Sequence, residues 1–228
     1  MSSSKSAVVI VSGGLDSSGV ASYWKKEGYV LRLMTFDYGQ RARPEIKRAL
    51  ELGKELGAEV HKVIDISFMK ELYGTTNVLT DETAEMPSRF QSNIIVPLRN
   101  GVFLTIAAAY AFSTKAEVLA YGAHLSDLSY PDCRPEFAKL LGSALNLGDI
   151  DAIDAKAHPA IRLWSPATEG LTKDQMLKIS HAVQGNLVYR TWSCYLDGEK
   201  QCGRCESCNN RKKAFQVAGI PDLTEYFQ

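Results

Sequence analysis

AVVIVSGGLDS, residues 7–17, is the stretch on which the reading of this chain turns. Ala7 to Val11 is a short apolar run rich in β-branched residues, and the residues from Leu15 onward suit a helix. Between them Ser12, Gly13 and Gly14 carry the chain from strand to helix in a single tight turn. Such a turn leaves the free amides of a helix N-terminus facing outward, lets a glycine backbone approach an anion closely, and adds the hydroxyls of Ser12 and Ser17 as donors. It is a phosphate cradle. The Lys-Ser or Lys-Thr ending of a Walker A loop is missing, so no lysine neutralises charge at this point. Asp16 suggests instead a magnesium ion carrying the phosphate contact.

Outward from this loop the alternation continues. Val30 to Asp37, Val60 to Ile66 and Val118 to Tyr121 read as further buried strands, with helices over 15–27, 43–57 and 100–114. Alternating strands and helices predict an α/β fold built on a doubly wound parallel sheet, which binds ligands at the carboxyl ends of its strands. Pro44 lies just inside the second helix, where a missing amide costs least. Tyr73 to Ser92 is polar, threonine-rich and aperiodic, and predicts a long loop of the kind that forms lids or binding elements. A second irregular stretch, Ser126 to Pro135, leads into a helix ending at Leu147, and residues 171–184 form another. The expected division is an α/β domain over 1–190 and a cysteine-organised segment over 191–228.

The chain has 228 residues, 45% of them hydrophobic, and balances 26 Lys and Arg against 26 Asp and Glu. It can bury a sizeable core, and it lacks the basic field that drives unspecific nucleic-acid binding. MSSSKS at the start is not a secretion signal and no apolar run reaches membrane-spanning length, so the expectation is a cytoplasmic protein with neither membrane nor nucleic acid as partner. Cys194, Cys202, Cys205 and Cys208 are spaced C-x7-C-x2-C-x2-C. Two overlapping CxxC turns present several sulfurs to one ion, which favours tetrahedral zinc over the rival iron–sulfur cluster or redox pair. With four protein ligands no position stays open for substrate, so the expected role is structural. Arg204, Arg211, Lys212 and Lys213 are near enough in sequence to offset its negative charge.

Three more stretches carry polar residues where ligands are expected. TFDYGQRAR, 35–43, ends a strand: main-chain groups around Phe36 suit an adenine edge, and Arg41 suits a phosphate or carboxylate. IIVPLRN, 94–100, runs into an apolar helix, so Arg99 reinforces an anion site at the helix start while Asn100 is either a ligand contact or an N-cap. In YPDCR, 130–134, Asp132 either reads the N–H edge of a purine-like base or caps the next helix. Cys133 is a pocket lining, a nucleophile or a small buried residue. None of the four histidines has metal-ligand spacing. His124, after a strand, is expected to be structural, and Lys173, at a late helix start, either reaches phosphate or is solvated.

SGGLDS, TFDYGQRAR, VPLRN, YPDCRPEF and CGRCESCNNR, in this order and over nearly the whole chain, closely resemble the QueC family of 7-cyano-7-deazaguanine synthases. SGGLDS by itself resembles the pyrophosphate loop of the N-type ATP pyrophosphatases. The resemblance implies an adenine nucleotide alpha hydrolase-like fold with a C-terminal zinc segment, often a homodimer, acting on 7-carboxy-7-deazaguanine. ATP would adenylate the carboxylate, ammonia would displace AMP to give an amide, and a second ATP would activate the amide for dehydration to the nitrile. It further implies that Val11, Ser12, Gly13, Gly14, Leu15, Asp16 and Ser17 hold pyrophosphate and magnesium, and that Phe36, Tyr38, Gln40, Arg41 and Arg99 border ATP and substrate. Asn100, Tyr130, Asp132, Cys133 and Arg134 would line the base, with Asp16, Ser17, Arg99 and Lys173 nearest the chemistry.

The chain also departs from the family pattern. Leu98 stands where members usually have glycine, Ile95 near where they have an aromatic, GAHLSDLSYPDC stands where they have a longer segment with an extra glycine, and SPATEGLTKD replaces a more apolar segment before Lys173. Altered walls around an intact ATP loop leave a second acceptor open: another amine, such as a protein N-terminus in an antiphage conjugation. Sulfur transfer to RNA through Cys133, and a nucleotide-binding interaction module without catalysis, are further alternatives.

Overall fold

The structure is a computed structural model and describes residues 5–74, 77–81 and 83–227. Five strands form one sheet: β1 (Ser6–Ile10), β2 (Val30–Asp37), β3 (Val60–Asp65), β4 (Val118–Ala120) and β5 (Arg162–Trp164). They lie in the order β3-β2-β1-β4-β5, and every pair is parallel. Among the described residues eight α-helices accompany them: α1 (Leu15–Lys26), α2 (Pro44–Glu55), α3 (Met69–Tyr73), α4 (Arg99–Ser113), α5 (Pro135–Leu147), α6 (Ile150–Asp154), α7 (Lys173–Gln184) and α8 (Glu206–Ala218).

Successive residues of β1 go to opposite faces, and both faces are buried. Val8 joins Met34, Phe36 and Leu119 under Leu104, Ala107 and Ala111 of α4. Ala7, Val9 and Val11 join Leu31, Leu33 and Ala120 beneath Val20 and Trp24 of α1 and Ala49 and Leu52 of α2. This double burial is why β1 reads as one unbroken apolar run.

The expected doubly wound parallel sheet is what the chain forms, with one strand more than the sequence suggested. β5 pairs only with β4, spans three residues and begins with the exposed Arg162, so it has neither the length nor the alternation that marks a strand. The short helices α3 and α6 were likewise not foreseen.

Residues after 190 are knit tightly to the rest. The Trp192 amide donates to the Gly13 carbonyl at 2.8 Å, and Phe215 of α8 packs with Leu15 and Leu177. Arg211 is wholly buried and donates to Thr191 Oγ1 at 2.7 Å, Ser193 Oγ at 3.1 Å and the Val188 carbonyl at 3.1 Å. It serves as a core tie that also interacts electrostatically with Cys208.

Candidate active site

The order β3-β2-β1-β4-β5 reverses direction between β1 and β4, and the crevice beyond their carboxyl ends is where open α/β sheets bind ligands. The SGGLDS loop leaves β1 there. Gly13 has φ +86°, and a Cβ on it would lie 2.2 Å from the Glu45 carbonyl oxygen, so only glycine lets α2 close against the loop. Gly122, just past β4, touches the loop from the other side: a Cβ there would sit 3.1 Å from the Ser17 amide nitrogen.

Gly14 is the N-cap of α1 and brings no side-chain oxygen. The first-turn amides of Leu15, Asp16 and Ser17 are therefore left for an incoming anion. Ser12 and Ser17 fold the loop on itself, the Ser12 amide donating to Ser17 Oγ at 3.1 Å and the Gly14 amide to Ser12 Oγ at 3.2 Å.

Asp16 is the centre of a charged chain. Lys173 Nζ donates to its Oδ2 at 2.8 Å, and His124 Nε2 lies 3.1 Å from its Oδ1. On the far side of the imidazole, Nδ1 is 3.2 Å from Asp127 Oδ2. Burial by itself would raise the Asp16 carboxyl, but the Lys173 ammonium and then the His124 ring outweigh it and hold the acid far below the usual carboxylate range. Asp127, with burial as the leading influence, is pushed up. Lys173 thus supplies at a distance the cation that the loop lacks locally. His124, expected to be structural, is part of this chain, and Asp127 was missed; both lie just past β4, where the strand-end rule points.

A cavity of about 240 Å³ joins the loop to the remaining stretches. Phe36, Tyr38, Gln40, Arg99, Asn100, Tyr130, Asp132 and Cys133 line it with Val11, Ser12, Gly14, Leu15, Asp16, Ser17 and Lys173. Arg99 Nη1 donates to Tyr38 Oη at 3.1 Å. The main chain near Phe36 is already engaged by Gln40, which folds back, accepting from the Tyr38 amide at 3.0 Å and donating to the Phe36 carbonyl at 3.4 Å. The last wall, from Trp192, Tyr195, Glu206 and Asn210, comes from the cysteine segment and had no sequence signal.

Three expected contacts lie elsewhere. Gly13 packs against α2. Arg41 does not reach the cavity: its Nη1 donates to the carbonyls of Val78, Asp81 and Ala84 at 3.1, 2.9 and 2.8 Å, clamping the long loop that was expected to be a lid. Arg134 turns outward and donates from Nε to the Leu128 carbonyl at 2.9 Å.

Asp132 is buried and does cap a helix, but it caps α4, not the one that follows: its Oδ2 accepts from the Asn100 amide at 3.0 Å. Asn100 is accordingly inside the first turn and not an N-cap, and its Nδ2 reaches Cys133 Sγ at 3.4 Å. Burial pushes the Cys133 thiol well above its ordinary range, which removes the thiolate that a nucleophile or sulfur carrier needs.

Leu98 occupies the N-cap of α4 with φ +53°, a left-handed conformation that costs a non-glycine residue about 1–2 kcal/mol. Its side chain is 66% exposed and recovers little of this by burial. Leu98→Gly is expected to stabilise the chain by up to about 1 kcal/mol, the relieved strain less the added freedom of glycine in the unfolded state. A urea midpoint at or below that of the parent would contradict this.

The four cysteines Cys194, Cys202, Cys205 and Cys208 are all reduced, and their sulfurs lie within 4.8 Å of one another. Amides of Leu196 and Cys202 point at Cys194 Sγ from 3.4 and 3.3 Å, and that of Cys205 at Cys202 Sγ from 3.3 Å. Such amides stabilise thiolate charge, so the set can hold a metal ion.

Comparison with known proteins agrees with this architecture. A model of the family described as "Queuosine biosynthesis protein QueC" matches residues 6–219. The 7-cyano-7-deazaguanine synthase of Oceanobacillus iheyensis is 38% identical, the alignment covering 97% of this chain and 98% of the relative. That of Thermoplasma acidophilum is 39% identical over 97% of this chain and 92% of its own. Among solved structures, a predicted subunit of tRNA methyltransferase from Methanocaldococcus jannaschii shares the fold, with a TM-score of 0.50 and 19% identity over 98% of this chain and 92% of that one. Matched by the family model almost from end to end and aligned at this identity with full-length synthases, the chain belongs to the QueC family of enzymes.

Proposed function

We propose that this enzyme uses ATP and magnesium to turn 7-carboxy-7-deazaguanine into an acyl-adenylate, converts that to the amide with ammonia, and with a second ATP dehydrates the amide to 7-cyano-7-deazaguanine. The observation that carries this reading is that the phosphate loop and the YPDCR stretch open into one cavity, so an ATP tail and a purine-like base can meet there. The relatives named 7-cyano-7-deazaguanine synthase support the product. They lend nothing to transfer onto a protein amine.

A carboxylate is a poor electrophile because its leaving group would be oxide. In the mixed anhydride with AMP the leaving group is a phosphate monoester instead. The open amides of α1 and the hydroxyls of Ser12 and Ser17 receive the pyrophosphate, and Lys173 brings positive charge beside them. Asp16 and Asp127 are the hard oxygen donors that would hold magnesium, which when bound neutralises phosphate charge. Arg99 and Asn100 face the α-phosphate side, and Asp132 offers carboxylate oxygen to the N–H edge of the base. Positioning and electrostatics suffice, and no side-chain nucleophile is required.

The cysteine segment fits structural zinc. A tetrahedral thiolate centre with metal–sulfur bonds of about 2.3 Å holds its sulfurs about 3.8 Å apart. Cys202 Sγ and Cys208 Sγ are 3.9 Å apart.

The decisive test is incubation with ATP, magnesium and 7-carboxy-7-deazaguanine, with and without ammonium, followed by mass analysis of small molecules and polypeptide. The expected result is the nitrile with two AMP formed per molecule when ammonium is present. Unconsumed ATP, or a deazaguanine mass on the polypeptide, would overturn the proposal.

A further inference from the structure

Five carboxyl groups line the cavity: Asp16, Glu45, Asp127, Asp132 and Glu206. Four already have partners. Asp16 holds Lys173 and His124, Asp127 accepts from the His124 amide at 3.3 Å, and Asp132 accepts from the Asn100 amide. Glu206 accepts from Tyr195 Oη at 2.8 Å and from Asn210 Nδ2 at 2.5 Å. Glu45, in the first turn of α2, is the exception: among the described residues its carboxyl has neither a hydrogen bond nor an ion pair. Its backbone abuts the phosphate loop at Gly13. The Arg99 guanidinium acts on it from beyond ion-pair contact, being committed to Tyr38 Oη.

A carboxyl left open to the cavity beside the reacting phosphates calls for a cationic or proton-bearing ligand. Burial pushes Glu45 up to about 8 and Arg99 only partly opposes this, so it exchanges its proton in the neutral range. The reaction proposed above has such a ligand. Ammonia in neutral water is almost wholly ammonium, which has no lone pair and cannot attack a carbonyl.

We propose that Glu45 is the ammonium site and the general base of amide formation. This rests on the adenylation reading. The carboxylate binds NH4+ and takes one of its protons. The freed lone pair forms the C–N bond at the acyl carbon, the C–O bond to the AMP phosphate breaks, and its electron pair leaves with AMP. The second proton lost by nitrogen goes to water at the open side of the cavity. Nothing is oxidised or reduced.

Hydroxylamine separates this step from adenylation, because it is neutral near pH 7 and attacks without first losing a proton. Parent, Glu45→Gln and Glu45→Asp proteins are given ATP, magnesium and 7-carboxy-7-deazaguanine with either ammonium or hydroxylamine, and amide plus nitrile is compared with hydroxamate. Gln keeps the volume and removes the base, and is expected to lower the ratio of ammonia-derived product to hydroxamate at least tenfold. Asp keeps the base but withdraws it, and is expected to give an intermediate ratio, which also serves should the Gln variant not fold. An unchanged ratio in a folded variant would overturn the role of Glu45 alone. A parent protein that makes neither AMP nor hydroxamate would overturn the adenylation reading and this inference with it.

Discussion

Asp16→Ala is expected to lower AMP formation by at least about a hundredfold, the scale on which removal of one preorganised charge-stabilising group acts. The loss is larger than one contact because Asp16 organises both a lysine and a histidine. Lys173 Nζ at 2.8 Å and His124 Nε2 at 3.1 Å both converge on its carboxylate. Without it the Lys173 side chain, 12% exposed, has lost its ion-pair partner and its fixed place beside the SGGLDS loop. Combining Asp16→Ala with Lys173→Met should recover part of any lost stability but none of the activity, because the stranded charge goes and the catalytic one does not return. AMP formation at parental rate in Asp16→Ala would remove the loop from the mechanism. The sign of the pH dependence follows from the lowered carboxyl: its stabilising contribution is present above the ordinary carboxylate range and is lost as pH falls toward the depressed value. The stability difference between parent and Asp16→Ala should therefore shrink in strong acid.

On the structural-zinc proposal, Cys208→Ser is expected to abolish metal binding by the four-cysteine set and to lower the melting temperature by on the order of 10 °C, since structural thiolate sites contribute folding energy directly and a few kcal/mol moves a chain of this size that far. Cys208 is fully buried, so the variant also leaves a hydroxyl among sulfurs. Damage should travel to the nucleotide site. The Trp192 amide, two residues before Cys194, is bonded to the Gly13 carbonyl, and α8 behind the cysteines contributes Glu206 and Asn210 to the cavity. Calorimetry and metal analysis would measure the first effect, and the KM for ATP the second. A metal-free variant melting with the parent would contradict the structural role.

The sheet was legible because β1, β2 and β4 are buried on both sides, which leaves a strong apolar signal, and because loop chemistry marks where β1 ends. β5 was not legible, since a three-residue edge strand borrows its order from β4. Within the site, local motifs located the SGGLDS turn at the sheet's edge and the clustered cysteines, where spacing alone brings the groups together. Asp132 was located, but its helix was not, because a cap supplied across a fold leaves no mark beside the helix it serves. Arg41 illustrates the opposite error: a strand end says that a polar residue is near the crevice, and its carbonyl partners then decide where it points. Glu45 and Asp127 sit in ordinary-looking polar stretches, and only three-dimensional enclosure distinguishes them from solvated acids.

The union of Gly13 with Trp192 and of Asp16 with Lys173 has a consequence for birth of the enzyme on the ribosome. The loop is made long before its partners, 157 residues separating Asp16 from Lys173, so a nascent chain shows no finished nucleotide pocket until the stretch that carries Lys173 and Trp192 has left the exit tunnel. Nucleotide can reward only a chain grown past these partners, and products terminated before them gain no protection from it.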